Sequence, residues 1–417
     1  MHIKSIYLKN FRGFEEETIP LNPQFTAAIG DNGKGKSTIL YGLQVALGAY
    51  LQCLPIPASP VYRRQFKKSE RFIKWDPDEK GYMSNRSETK VSVTAEFNPG
   101  KEISWTRLMA ANGTTSHNRT LCWELMDTVE SLLTKKDRTK KEIFPVVASF
   151  GTERTASQLR KVRQAQKRRS RMEKAYLAAL GNKVDFHGVV EWLHNYENEL
   201  KYEREFEGTR EAVFEAITIA IPYLKDVGYN SLYHELEAVV IIDENDLGKK
   251  THSNMSDGLI AMLNLVAELA FRCVVLNGFL GAEAVKESPG IVMIDELDMH
   301  LHPNWQKHVI KDLKAAFPKL QFVVTTHSPF IVQSLESDEL INLDKPTDVS
   351  LKDLTIDEVA TEIMGVDSEF SIDNQENYEK TKQLLQNDSD DNIGNPLLRA
   401  FIEINRDLKN SNDEAVR

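Results

Sequence analysis

Residues 30–37 read Gly-Asp-Asn-Gly-Lys-Gly-Lys-Ser, between an apolar run, Phe-Thr-Ala-Ala-Ile at 25–29, and a stretch from Lys36 to Leu47 whose apolar residues recur at helical spacing. No other segment constrains the chain as strongly. It requires a buried strand on one side and, on the other, a helix whose N-terminus faces the turn. The segment satisfies G-x-x-x-x-G-K-[S/T], a loop whose backbone N–H groups curl around phosphates. Gly30, Asn32, Gly33, Gly35, Lys36, Ser37 and Thr38 are therefore the candidate nucleotide-binding residues. Lys36 is expected to reach the β and γ oxygens, and the Ser37 hydroxyl to ligate Mg²⁺.

Far downstream, Ile-Val-Met-Ile at 291–294 runs into Asp295 and Glu296. A carboxylate pair ending an apolar strand is costly unless a metal and a water use it. Alone, such a pair more often caps a turn; the upstream loop is what favours catalysis, with Asp295 holding Mg²⁺ and Glu296 orienting or deprotonating the attacking water. The next apolar run, Gln-Phe-Val-Val-Thr-Thr at 321–326, leads to His327. A lone histidine after a strand is usually structural; its spacing after the acid pair points instead to the γ phosphate.

Thr- and Val-rich runs at 91–97 and 102–108 predict an antiparallel sheet beside the nucleotide core. From about Ser157 to Lys225 helix formers dominate, beginning with the basic run Arg160–Lys174. That run is either a solvated helix face or, together with Arg63, Arg64, Lys67 and Lys68, a contact for nucleic-acid phosphates. The formal net charge of −10 argues against a surface that coats nucleic acid throughout. The three cysteines, Cys53, Cys122 and Cys273, lack paired spacing and read as reduced core residues. With no signal-peptide pattern and no sustained apolar run of membrane-spanning length, the expectation is a soluble cytoplasmic protein without a membrane partner.

The phosphate loop, Met255-Ser256-Asp257-Gly258, Ile294-Asp295-Glu296-Leu297-Asp298 and Thr325-Thr326-His327-Ser328-Pro329 follow one another in the order seen in RecF-, Rad50- and SMC-like ABC ATPases, which this chain resembles. The resemblance implies an α/β fold: an ABC-type P-loop ATPase head with a mixed sheet, an antiparallel β subdomain and a short helical insertion. It suggests an N-terminal lobe at 1–155, the insertion at 156–234, a C-terminal lobe at 235–345 and an acidic helical segment at 346–417. It also implies that Ser256 and Gly258 of one subunit, ahead of a helix starting near Leu259, close over the nucleotide of another. The result would be a homodimer with composite ATP sites, with higher assembly left open. Arg12 in Asn-Phe-Arg-Gly-Phe should contact the nucleotide, Leu297–His302 should form the D-loop, and His327 should be the switch histidine.

The D-loop and Phe150-Gly-Thr-Glu-Arg154 look like those of Septu antiphage ATPase subunits and overcoming-lysogenization-defect nucleases. The insertion is far shorter than an SMC or Rad50 arm, and the polar segment after Phe330 does not suit a Toprim nuclease. By this resemblance the chain is an ATPase subunit of a bacterial defence system that controls a separate, HNH-type nuclease. A RecF-like repair ATPase that binds DNA without a nuclease is the alternative.

Overall fold

The computed structural model describes residues 1–76, 80–84, 87–98, 100–116, 119–134, 142–153, 170–202, 206–242, 244–345 and 349–367. In chain order the elements are β1 (His2–Phe11), β2 (Phe14–Pro20), β3 (Phe25–Ile29), α1 (Lys36–Cys53), β4 (Ile73–Asp76), β5 (Gly81–Ser84), β6 (Thr89–Asn98), β7 (Lys101–Met109), β8 (Thr115–Ser116), α2 (Trp123–Thr134), β9 (Val146–Phe150) and α3 (Arg171–Ala175). Next come α4 (Phe186–Tyr202), α5 (Thr209–Ala220), β10 (Leu224–Asn230), β11 (Glu235–Ile242), β12 (Asn245–Thr251), α6 (Asp257–Asn277) and α7 (Ala284–Glu287). The core closes with β13 (Gly290–Ile294), α8 (Pro303–Gln306), α9 (Val309–Ala316), β14 (Leu320–Thr325), α10 (Pro329–Gln333) and β15 (Leu340–Asn342). Residues Met1–Val359 form one compact unit and Ala360–Arg417 a second, of which only 360–367 are described.

β3, β14, β13 and β9 are buried at every residue, as parallel strands covered on both faces must be. They pair in parallel in the order β15-β3-β14-β13-β9. This order sets the phosphate-loop strand β3 and the acid-bearing strand β13 on either side of β14. The C-terminal ends of all three strands therefore open on one edge of the sheet, where α/β proteins bind ligands.

A second, antiparallel sheet runs β2-β1-β6-β7-β8, and its β6 and β7 lie where the Val- and Thr-rich runs predict strands. Helix α1 packs against β1, β6 and β7 of this sheet and against β14 of the first. Covered on two sides, it is apolar nearly all round rather than along one stripe. Trp105 of β7 is 1% exposed and donates its indole N–H to the Ala46 carbonyl of α1 at 2.9 Å. Trp105→Ala should therefore cost about 3–5 kcal/mol, read as a lower denaturant midpoint.

Helix α6 begins a stretch, 257–287, in which an 18-residue window has a mean hydropathy of 2.1 that would suit a membrane span, yet 94% of that window is buried inside the protein. The run serves as a central core helix, and α3, α4, α5 and α7 pack on it. Within it Glu268 and Arg272 form a buried ion pair one turn apart.

The helical region is broken more than its composition suggests. Residues 224–251 form a three-stranded antiparallel sheet, β10-β11-β12, that begins inside the segment read as helical. Along β11, Leu236, Ala238 and Val240 are buried while the residues between them are half exposed. The glutamates and lysines around these short alternating positions mask their period of two. Residues 154–169, with Arg154 and most of the basic run, lie outside the described residues, as does the part of the acidic helical segment after 367. The three cysteines are free; burial pushes the Cys273 thiol up to about 12 and that of Cys53 up to about 11.

Candidate active site

β3 ends at Ile29, and the chain turns through left-handed backbone at Gly33 (φ 89°) and Gly35 (φ 107°) before α1 starts at Lys36. At Gly35 two constraints coincide, because a Cβ would also stand 2.9 Å from the ring of Phe14. The first turn of α1 holds no acidic side chain, so the positive end of its dipole is left for an anion. Thr38, in that turn, is buried, while Asn32 is exposed on the loop. Lys36 is 8% exposed and donates to the carbonyls of Gly30 (2.5 Å) and Asp31 (3.1 Å). Burial lowers its pKa, and Asp344, Asp31, Asp295 and Glu296 pull it back up.

Asp344 is a residue that sequence reasoning missed. Its carboxylate accepts from the Asp31 N–H at 2.7 Å and pairs with Lys34 at 3.2 Å. Nothing in Asn-Leu-Asp-Lys marks it; only the pairing of β15 with β3 carries it to the loop.

The two predicted Mg²⁺ ligands meet: Ser37 Oγ stands 3.1 Å from Asp295 Oδ1. Thr325, at the end of β14, donates to the same Asp295 oxygen at 2.6 Å and accepts from the Glu296 N–H at 2.8 Å. One hydroxyl thus ties the acid-bearing strand to its neighbour. Glu296 sits in left-handed backbone (φ 51°), an unfavourable state for glutamate, and such strain gathers at functional turns. Asp298, in the segment expected to form the D-loop, has a carboxylate that accepts from Thr326 Oγ1 at 2.6 Å and from the His327 N–H at 3.2 Å. It fixes the backbone at Thr326 and His327, while the His327 residue itself is exposed. Asp298→Ala should lower ATP turnover about tenfold by loosening His327, measured as steady-state phosphate release.

Arg12, in left-handed backbone (φ 49°), places its guanidinium 4.2 Å above the Tyr41 ring of α1 and 3.6 Å from Glu70. The segment touches the phosphate loop through its neighbours: Phe14 covers Gly35, and a Cβ on Gly13 would stand 3.9 Å from Gly33 O.

Ser256 and Gly258 lie at the N-terminus of α6, which starts at Asp257, two residues earlier than expected. Among the described residues no hydrogen bond joins them to the phosphate loop. Ser256 is exposed and its side chain caps no amide of α6. Gly258 meets the D-loop, since a Cβ there would stand 2.4 Å from His300 O. Of the four cations at 63–68 in the proposed phosphate-contacting set, Arg64 is buried and ion-paired with Glu70, while Arg63, Lys67 and Lys68 face solvent.

An AAA-domain family model matches residues 5–224, more than half of the chain. A second, described as an AAA domain, putative AbiEii toxin, type IV TA system, matches residues 148–333. The chain is 33% identical over 36% of its length to the retron Vc95 probable ATPase of Vibrio cholerae serotype O1 biovar El Tor. It is 24% identical over 82% of its length to the retron Ec83 probable ATPase of Escherichia coli, and 39% identical over 21% to the Septu protein PtuA of Bacillus thuringiensis. It spans 28%, 71% and 25% of these three relatives, respectively. Among solved structures, an SMC head bound to the C-winged-helix domain of ScpA is 17% identical with a TM-score of 0.49, covering 81% of this chain and 92% of that one. With the phosphate loop and strand-end acids placed as described, and a family model covering more than half of its length, the chain belongs to the AAA-domain P-loop ATPases.

Proposed function

We propose that this chain hydrolyses ATP as the ATPase subunit of an antiphage defence system, working as a nucleotide-gated homodimer that controls a separate HNH-type nuclease in the cytoplasm. The observation that carries the catalytic reading is the 3.1 Å approach of Ser37 Oγ to Asp295 Oδ1 beside Lys36. Adjacent ligands of an octahedral Mg²⁺ with bonds of about 2.0–2.1 Å stand about 2.9 Å apart, so these two oxygens suit neighbouring corners. When bound, Mg²⁺ neutralises charge on the β and γ phosphate oxygens.

The residues do the rest. Lys36 exchanges its loop carbonyls for phosphate oxygens, the backbone amides of 33–38 hold the chain of phosphates, and Glu296 accepts the proton of the attacking water. His327 donates to the γ phosphate. Ser256 and Gly258 of the opposite subunit complete the site, a role favoured by an exposed hydroxyl at the N-terminus of a long helix. ATP then favours the closed dimer because it binds that state better, and hydrolysis reopens it.

The retron and Septu relatives favour defence over the repair reading. The helical insertion or the acidic C-terminal segment would carry the nuclease, and exposed Arg63, Lys67 and Lys68 offer a nucleic acid a sequence-independent contact. The test is to express the chain with its neighbouring genes, challenge the host with phage and purify the complex in ATP and Mg²⁺. A co-eluting nuclease and phage protection abolished by Glu296→Gln are expected. No protection and no nuclease retained would sink the defence reading, DNA retained in its place would favour repair, and protection indifferent to Glu296 would sink the dependence on hydrolysis.

A further inference from the structure

The segment between α3 and α4 is fastened to both halves of the nucleotide machinery. Asn182 sits in left-handed backbone (φ 56°) and forms a parallel bridge with Phe150, the last residue of β9. Its carbonyl accepts from the Gly151 N–H at 3.1 Å. Its side-chain Oδ1 accepts from Gln44 Nε2 of α1 at 2.6 Å and from Ser149 Oγ of β9 at 2.5 Å. Gln44 also donates to Ser149 at 2.8 Å, and both are buried, 2% and 3% exposed.

Each partner is one step from the chemistry. Gln44 lies two helical turns beyond Ser37 on α1. Phe150, bridged to Asn182, gives its carbonyl to the N–H of Asp295 at 2.9 Å. The far side of the same segment is held by α6: Arg272 donates to the carbonyls of Ala175 and Leu177, and Glu268 accepts from the Asp185 N–H. An amide oxygen with two buried donors in a low-dielectric setting fixes relative positions more strongly than an exposed bond would.

We propose that Asn182 is a positioning residue through which the segment between α3 and α4 sets the spacing of α1 against β9, and with it the distance from Ser37 to Asp295. It works through Gln44 and Phe150 and touches no nucleotide. A partner pulling on this segment would then change turnover by opening the Ser37–Asp295 pair without disturbing the phosphate loop. This deepens the proposed function and rests on the assignment of Ser37 and Asp295 as the Mg²⁺ ligands.

The test compares Asn182→Gly, which keeps the left-handed backbone and removes the amide, with Asn182→Asp, which keeps the acceptor oxygen. In the full chain, Asn182→Gly should raise the Mg²⁺ concentration for half-maximal ATP binding and lower kcat, each about tenfold, as sub-ångström misplacement does. ATP affinity in EDTA should stay unchanged. Asn182→Asp should restore most of kcat, and Gln44→Ala should lower kcat in the same direction and add less than its full effect in the double variant, because the two changes share the Gln44–Asn182 bond. An Asn182→Gly protein with wild-type kcat and Mg²⁺ dependence, or a double variant whose effects add, would overturn the proposal. A wild-type protein that binds ATP and Mg²⁺ but never turns over would count against the hydrolytic function alone, because the Mg²⁺ titration still decides the role of Asn182.

Discussion

Glu296→Gln will lower ATP turnover about 10³-fold while leaving ATP binding intact, the range expected when a positioned general base is removed. The swap is nearly isosteric and spares the main chain: the N–H of residue 296 still donates to Thr325 Oγ1, and the left-handed backbone strains glutamine no more than glutamate. Asp295, Ser37 and Lys36 keep their places, so nucleotide affinity is preserved and an ATP-bound dimer accumulates. Phosphate release beside equilibrium binding of ATP gives the answer. A variant that hydrolyses at the wild-type rate would place the base elsewhere and undo the reading of the strand-end acids.

Ser256→Arg will abolish the ATP-dependent dimer and reduce turnover to background, with ATP still bound at the phosphate loop. Ser256 is exposed and makes no capping bond within its own chain, so the substitution leaves the monomer folded. In a composite site, however, it drives a bulky side chain into the opposite subunit's nucleotide. Light scattering with ATP and Mg²⁺ should give a dimer for the wild type and a monomer for the variant. Mixing it with Lys36→Ala is more incisive: the Ser256→Arg subunit supplies an intact phosphate loop, the Lys36→Ala subunit an intact signature, and one working site should return. A mixture no more active than its parts would argue that each subunit acts alone.

The residues assigned to phosphate and metal are legible in the sequence because their chemistry is local. Gly30–Ser37 need only a strand before them and a helix after them, and both are written in the adjoining residues as apolar periodicity. Asp295, Glu296 and His327 follow apolar strands, where an uncompensated polar group demands a reason. The antiparallel β6 and β7 announce themselves through their own Val- and Thr-rich alternation. Residues 224–251 do not, since their strands are short and laced with charge, and their alternation shows only in the burial of Leu236, Ala238 and Val240.

What only the tertiary structure decided is how distant segments meet. Asp344 reaches the Asp31 amide because β15 pairs with β3, Asp298 holds His327 because β13 lies beside β14, and Asn182 joins Gln44, more than a hundred residues away, to Ser149. Arg64 looks like part of a basic surface in a linear reading, but burial against Glu70 withdraws it. By itself the sequence pointed to the chemistry: a phosphate loop marked by its immediate neighbours, and strand-end acids that this loop singles out as the proposed metal ligand and base. Strand order and helix packing are global properties, set by which apolar faces bury one another, and they alone decided which side chains hold that chemistry in register.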